Sequence, residues 1–192
     1  MAILRVNPTR MELTLMKRRL VTAKRGHKLL KDKRDELVRR FIVLVKENAA
    51  LRKQVEDELG IALKDFALAR AVMEPGAMRQ ALLYPARQAQ IKMGRRSILS
   101  VHVPQFSMDE ESMGKTVLPY GLTETSAQLD GAIETMAQVL PLLIQLAEIE
   151  KTTSLLAEEI QKTRRRVNAL EYVMIPQFEE TIRFITMKLE EN

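Results

Sequence analysis

The residue types that usually carry enzyme chemistry are scarce in this sequence. It has 192 residues, no cysteine and only two histidines, His27 and His102. Without cysteine there is no thiol nucleophile, no disulfide framework and no thiolate-bound metal centre. A catalytic zinc site needs three protein ligands that converge on one ion, and two widely separated histidines do not supply them. The sequence therefore predicts a protein that is not an enzyme.

Two acidic runs, at 56–58 and 109–111, are the remaining candidates for metal binding. The first lies within a predicted helix, where its carboxylates fan around the surface, and the second lies in a predicted loop. Because cation binding needs carboxylates that converge from several directions, we interpret both runs as solvated surface. The segment Arg25-Gly26-His27-Lys28 lacks the flanks of a phosphate-binding loop and lies in mid-helix. We expect no metal and no cofactor.

The composition is typical of long helices, with 46% apolar, 29% charged and only 4% aromatic residues. No uninterrupted apolar stretch approaches the roughly 18 residues of a membrane-spanning helix. The N-terminal residues lack the long apolar core of a signal peptide. We expect a cytoplasmic protein that does not insert into a membrane.

Residues 1–73 predict one long helix. Asn7-Pro8-Thr9 is a helix-start signal, and Glu74-Pro75-Gly76 is a stop. Between them, two positions of a seven-residue repeat form the a/d seam of a coiled coil. The repeat shifts by four residues after Val55, which locally unwinds a supercoil. The seam comprises Leu13, Met16, Leu20, Ala23, His27, Leu30, Arg34, Leu37, Phe41, Leu44, Asn48, Leu51 and Val55, then Leu59, Ala62, Phe66, Ala69 and Met73.

Residues 127–192 predict a second helix of almost the same length, with Pro141 expected to start or kink a segment and Pro176 to kink the helix. Two matched helices predict an all-α-dominated fold, a long antiparallel two-helix coiled coil with residue i opposite about residue 202 − i. The second seam comprises Leu146, Ile149, Thr153, Leu156, Ile160, Thr163, Val167, Leu170, Met174, Phe178, Ile182, Ile185 and Leu189.

The insert, residues 74–126, is predicted to close the helical hairpin and to complete one structural unit with residues 1–73 and 127–192. A short helix is expected from Gly76 to Tyr84. Alternating apolar residues at 99, 101 and 103 predict a strand, and we expect it to pair with 115–118 across a link at 107–114.

The formal charge of +6 is unevenly distributed along the chain. Residues 1–40 hold 13 basic and 4 acidic side chains, whereas residues 127–192 hold 7 basic and 11 acidic ones. The antiparallel pairing brings a second basic cluster beside the first. This surface predicts an acidic partner or nucleic-acid phosphates, although it lacks the aromatics that stack on bases. Its candidate contact residues are Arg10, Lys17, Arg18, Lys24, Arg25, Arg164, Arg165 and Arg166.

Two apolar runs, at 41–45 and 140–146, exceed what a two-helix seam can bury. We expect another subunit to cover the excess; the alternative is that the insert folds back over it. The candidate docking residues are Ile42, Val43, Val45, Leu142 and Ile144.

Distinctive sequence lies at residues 7–13 and 23–37 of the first helix and at residues 159–171, continuing to Ile175-Pro176, of the second. The first two stretches resemble the N-terminal signature, and the last resembles the C-terminal signature, of the D-subunit family of the V-type rotary ATPases of vacuoles, archaea and bacteria. The insert matches only at Val103-Pro104 and Pro119-Tyr120-Gly121. The family runs on past Glu190-Glu191-Asn192 with a charged tail, so we expect a chain that is short or trimmed at this end.

The resemblance implies a non-catalytic central rotor shaft, peripheral to the membrane in the V1 sector. Such a shaft transmits torque between ATP hydrolysis or synthesis in a ring of catalytic A and B subunits and ion translocation, including hydrogen ion transport, in the membrane ring. The F subunit binds its side, and a further subunit couples it to the membrane ring. The basic surface would face the A/B ring, and the five apolar residues would bind F. From the residues alone, a nucleic-acid-binding coiled coil and an adaptor or chaperone coiled coil remain alternatives.

Overall fold

The computed structural model describes residues 6–85, 89–108, 118, 120–121 and 125–191. It confirms a mostly helical chain whose insert holds a short helix and a two-stranded antiparallel hairpin. The elements are α1 (Arg10–Val72), α2 (Pro75–Ala81), β1 (Ile91–Ile98), β2 (Val101–Met108), α3 (Ala127–Ala169), a π-helical turn (Leu170–Met174) and α4 (Ile175–Glu190).

The chain forms two compact units. The first, called the terminal unit, comprises Met1–Phe41 and Leu156–Asn192, and the second, called the insert unit, comprises Ile42–Leu155. In each of them a part of α1 pairs with a part of the C-terminal helices.

The ends of α1 follow from local hydrogen bonding. Thr9 is the N-cap, because its Oγ1 accepts a hydrogen bond from the Glu12 N–H at 3.2 Å. At the other end Pro75 restricts the preceding residue, and Glu74 is extended, with φ −64° and ψ 138°. Pro75 then begins α2, where its missing N–H costs nothing.

The terminal unit is an antiparallel helix pair. Ion pairs join Lys33 to Glu159 at 3.1 Å and Lys24 to Glu179 at 2.7 Å, so residue numbers rise in one helix as they fall in the other. Predicted seam residues of both helices are buried here together with Thr181, which the predicted seam did not include, and the antiparallel pairing within this unit is confirmed. The buried residues are Met16, Ala23 and Leu37 of α1 with Leu156, Thr163, Val167, Thr181 and Ile185 of the C-terminal helices.

The C-terminal helix of this unit carries a π-helical turn directly before Pro176. The Ile175 N–H bonds to the Leu170 carbonyl, five residues back. Pro176 has no N–H to continue an α-helical ladder, and the wider turn absorbs the break. By contrast, Pro141 lies inside a helix that runs unbroken through it, so the alternative that it starts a new segment is wrong.

The core of the insert unit lies where α1, α2 and α3 meet. Ala69, Met73, Met78, Ala81 and Leu129 are buried together there. The Tyr120 hydroxyl donates to Asp130 Oδ1 at 2.8 Å beside this cluster. Burial, with a smaller contribution from Asp130, raises the pKa of Tyr120 above its ordinary value, so the phenol remains a donor.

The β-hairpin differs from the sequence prediction in its partner strand. β2 contains the predicted residues Val101 and Val103, and it pairs with 91–98, which the sequence analysis did not predict to be a strand. Leu99 and Ser100 have φ of 49° and 72°, which makes them a two-residue turn. Ser107 and Met108 belong to β2 and not to a link; of 109–118, only Leu118 lies within the described residues, and it is not in a strand.

One helical segment meets a membrane-span criterion of length and average hydropathy. A window of 18 residues within Ala127–Glu190 has a mean hydropathy of 1.3, which by length and composition alone would let it cross a membrane. Only 11% of that window is buried. The expectation drawn from the sequence concerned uninterrupted apolar stretches, and this segment contains none of that length, so the two statements do not conflict.

Candidate interaction surfaces

All eight basic residues of the predicted contact set lie in the terminal unit, and all are exposed. Lys24 pairs with Glu179, while both side chains keep about half of their surface in solvent. Such exposed pairs contribute about 0–1 kcal/mol. Among the described residues, the other seven make no ion pair within 4 Å. The terminal unit therefore presents a largely uncompensated positive surface.

Arg164, Arg165 and Arg166 lie at the same level as the basic residues of the first helix. Glu159 pairs with Lys33, and Glu171 accepts from His27 at 3.3 Å. The three arginines fall between these two glutamates, so the facing stretch of α1 lies between His27 and Lys33. That stretch contains Lys28 and Lys31, and both are exposed. In the terminal unit two helices thus supply cations at one level, and we call this group, Lys28, Lys31 and Arg164 to Arg166, the basic band.

The seam beneath the basic band contains a hydroxyl without a partner. Thr163 is 1% exposed, and its Oγ1 makes no hydrogen bond to any described residue. Thr181, also buried in the seam, instead donates to the Gln177 carbonyl at 2.7 Å. An unsatisfied buried hydroxyl costs about 1–3 kcal/mol.

We expect Thr163→Val to stabilise the chain by about 1 kcal/mol, because valine has nearly the same shape and no polar atom to desolvate. Urea unfolding followed by circular dichroism measures the change. Thr181→Val is the matched control and should give no gain, because it removes a hydroxyl that has a partner. A loss of stability in Thr163→Val would contradict the assignment of Thr163 as unsatisfied.

The apolar docking residues predicted from sequence occupy two levels of the insert unit. Ile42, Val43 and Val45 are 49%, 53% and 41% exposed, whereas Leu142 and Ile144 are partly buried. Arg52 lies within 4.0 Å of Glu150 and marks one level of this unit.

Val45 precedes Arg52 by seven residues, and Ile144 precedes Glu150 by six. Because the helices are antiparallel, Val45 and Ile144 lie on opposite sides of the Arg52–Glu150 level. At a rise of 1.5 Å per residue they are about 20 Å apart. A single partner that contacts both groups must therefore span this distance.

The hairpin lies against α3 close to the second group. The Phe106 N–H donates to Glu148 Oε2 at 2.8 Å, and Val101 and Val103 of β2 are buried. The insert thus folds back beside the apolar run at 140–146, as the alternative expectation allowed, but Ile42, Val43 and Val45 remain exposed.

The sequence analysis missed an apolar surface on the α1 part of the insert unit. Ile61, Leu68 and Val72 are 54%, 56% and 72% exposed, at spacings of seven and four residues that place them on one face. The sequence did contain a sign of this surface, because these three apolar residues lie outside the predicted seam. Beside α2 an open groove of about 690 Å³ is lined by Phe66, Arg70, Met73, Pro75, Met78, Arg79, Leu82 and Leu83.

Within the part of the chain that the structure describes, no three histidine or carboxylate side chains converge on a possible metal position. What the described residues do offer is a basic band and several apolar surfaces on a paired-helix framework. These features are typical of a subunit that works inside a larger assembly through its surfaces.

Comparison with known proteins defines that assembly. Residues 12–192 match the family model described as the ATP synthase D subunit. The chain is 54% identical over 192 residues to the V-type ATP synthase D subunit of Thermoanaerobacter sp. (strain X514), covering 100% of this chain and 91% of that protein. It is 56% identical over 194 residues to the protein of the same name from Clostridium novyi (strain NT), covering 100% of this chain and 90% of the relative.

The chain belongs to the D-subunit family of V-type ATP synthases. The D subunit is a non-catalytic part of a complex for ATP synthesis and ion transport, so the chain is not an enzyme and acts together with other subunits. This membership replaces the nucleic-acid and chaperone alternatives left open by the sequence.

Proposed function

We propose that the chain is the central rotor shaft of a V-type rotary ATPase. It transmits torque between ATP hydrolysis or synthesis in the ring of A and B subunits and ion translocation in the membrane ring. It is held at the cytoplasmic side of the membrane, peripheral to it, through its partners in the V1 sector. The observation that carries the proposal is the basic band, which two antiparallel helices build together.

A shaft needs a surface that contacts the surrounding ring without adhering to one of its faces. Charges act over roughly 8 Å at physiological ionic strength and are individually weak when exposed. The basic band supplies such contacts, because the arginines at 164–166 and the lysines at 28 and 31 are exposed from both helices at one level. In this proposal the eight basic residues of the predicted set face the A/B ring.

We assign the exposed apolar residues to permanent contacts with subunits that turn together with the shaft. Ile42, Val43 and Val45 are the exposed part of the proposed F-docking site, and Leu142 and Ile144 form its half-buried part. Permanent interfaces bury apolar cores, so F can rotate with the shaft. A coupling subunit between the shaft and the membrane ring completes the set of partners.

The proposal is tested by cross-linking the shaft to the ring. The chain has no cysteine, so Arg165→Cys provides one labelling position for a photoactivated cross-linker in a complex rebuilt with A, B and F. We expect cross-linking to A or B to abolish ATP turnover. The matched control is Val43→Cys cross-linked to F, which should leave turnover intact because both partners rotate together. Full turnover with the Arg165→Cys cross-link in place would refute the rotor assignment.

A further inference from the structure

The two edges of the β-hairpin differ in their contacts with the rest of the insert unit. On the β2 edge, Glu148 accepts the hydrogen bond of the Phe106 N–H at 2.8 Å. Among the described residues the sheet has two strands, so β1 forms the opposite edge. Every residue of β1 is exposed except Ile98, which is partly buried.

The register shows which backbone groups β1 presents. Because the Phe106 N–H points away from β1, the pair of Met93 and Phe106 is a non-hydrogen-bonded pair, and the type alternates along the ladder. Pro104, opposite Arg95, occupies another such position, where a missing N–H does not weaken the ladder. The N–H and C=O groups of Met93, Arg95 and Ser97 therefore point outward. Within the described ranges, no hydrogen bond reaches these three amides.

The charge of the hairpin selects the kind of strand that can pair there. Residues 89–108 contain Lys92, Arg95 and Arg96 and no acidic residue. Two copies of β1 side by side would place these cations against each other, and like charges in adjacent strands are destabilising. Lys92 already has an interaction partner, so the cations that attract an acidic segment are Arg95 and Arg96.

Side-chain alternation specifies the segment further. Ile91 and Met93 lie on one face of β1 and are 52% and 68% exposed, next to the partly buried Phe106. Arg95 also lies on this face, and Arg96 lies on the other. A complementary strand has apolar side chains beside Ile91 and Met93 and carboxylates beside Arg95 and Arg96.

We propose that the outer edge of β1 is a docking site for an extended acidic segment of another polypeptide, which adds a third strand to the hairpin. Main-chain hydrogen bonds to Met93, Arg95 and Ser97 hold the segment, and alternate side chains make it specific. The site belongs to the insert unit and does not depend on the rotor function proposed above.

Hydrogen exchange of the full chain with a synthetic probe tests the proposal. The probe is an eight-residue peptide of alternating glutamate and valine, and the matched control is the same peptide with lysine in place of glutamate. We expect the glutamate peptide to slow exchange of the Met93 and Arg95 amides about tenfold or more, an effect that weakens as salt is added. The lysine peptide should have no effect.

Two variants separate backbone pairing from side-chain contact. Met93→Pro removes an outward N–H and should abolish the protection, whereas Met93→Ala keeps the N–H and should retain most of it. Protection of the Gly94 and Gln105 amides, which face each other inside the ladder, shows that the hairpin persists. The double variant Arg95→Glu/Arg96→Glu should bind the lysine peptide in preference to the glutamate peptide, whether or not the proline variant folds.

Three results would overturn the proposal. The first is equal protection by both peptides, which would mean that charge does not select the strand. The second is protection of Met93 and Arg95 in the chain alone, which would mean that the edge is already paired. The third is protection that grows with protein concentration without peptide, which would make a second copy the occupant.

Discussion

ATP turnover of the assembled complex should fall roughly five- to thirtyfold when Arg164, Arg165 and Arg166 are replaced by glutamine. Each exposed charge contact contributes about 0.2–1 kcal/mol, so three supply between about 0.6 and 3 kcal/mol; the middle of that range, about 1–2 kcal/mol, gives this fall because every 1.4 kcal/mol is about tenfold in rate. Glutamine keeps a long polar side chain, so the change removes charge more than volume. Steady-state ATP hydrolysis by the complex rebuilt with A, B and F measures the effect.

The matched control for this experiment is the triple variant Lys46→Gln/Lys53→Gln/Lys64→Gln, which removes three exposed cations of the insert unit. It should leave turnover within about twofold of the unmodified complex, because these lysines lie outside the basic band. The difference between the two triple variants should also shrink as ionic strength rises. An arginine variant that assembles and turns over normally would show that the basic band does not contact the ring.

The hairpin should lose its attachment when Val103 becomes lysine. Val103 is 0% exposed and faces Arg96 across the ladder, so the new ammonium would be buried next to an existing cation. An unpaired buried charge costs about 3 kcal/mol or more, which exceeds what one hydrogen bond to Glu148 contributes. Hydrogen exchange at 91–108 should rise toward that of an unfolded segment, while helical circular dichroism changes little.

His102→Lys is the matched control for Val103→Lys. His102 is the preceding residue, is exposed and points to the opposite face of the same strand. It should change neither exchange nor stability measurably. If Val103→Lys left the exchange of 91–108 unchanged, the hairpin would be held by something other than the burial of Val103.

The helical part of the fold was predictable because seven-residue spacing reports burial directly. Met16, Ala23 and Leu37 are buried as the repeat required, and the four-residue shift after Val55 correctly placed Ala62 and Ala69 in the core. The prediction weakened at Met174, which is 42% exposed. The π-helical turn adds one residue to that turn, and such an insertion has no clear mark in the sequence beyond the nearby proline.

The hairpin was only half predictable. Val101 and Val103 alternate with polar residues, as a strand with one buried face should. β1 has no such pattern, because it is exposed on both faces and carries Gly94 between cations. The turn at Leu99-Ser100 also lacks the glycine or asparagine that usually marks two residues with positive φ.

The interaction surfaces were predictable in composition more than in arrangement. The basic residues of both helices could be counted from the sequence, and the antiparallel pairing already predicted that the two clusters meet. The ion pairs of Lys33 and His27 add the exact level, because they place Lys28 and Lys31 opposite the arginines. The apolar run at 140–146 and the residues at 42–45 looked like one site. The structure separates the two groups. The helices run in opposite directions, so residues that precede the Arg52–Glu150 level in α1 and residues that precede it in α3 lie on opposite sides of it.

The bond between Glu148 and Phe106 has a consequence for how this part of the chain can change over evolutionary time. Phe106 contributes only its main-chain N–H to that bond, so the attachment does not depend on which side chain stands at position 106. Related chains can exchange that residue freely and keep the hairpin in place, with proline as the exception because it has no N–H. Position 148, in contrast, must keep an acceptor on a side chain of similar length. The hairpin can therefore diverge in sequence while the place where it attaches stays fixed.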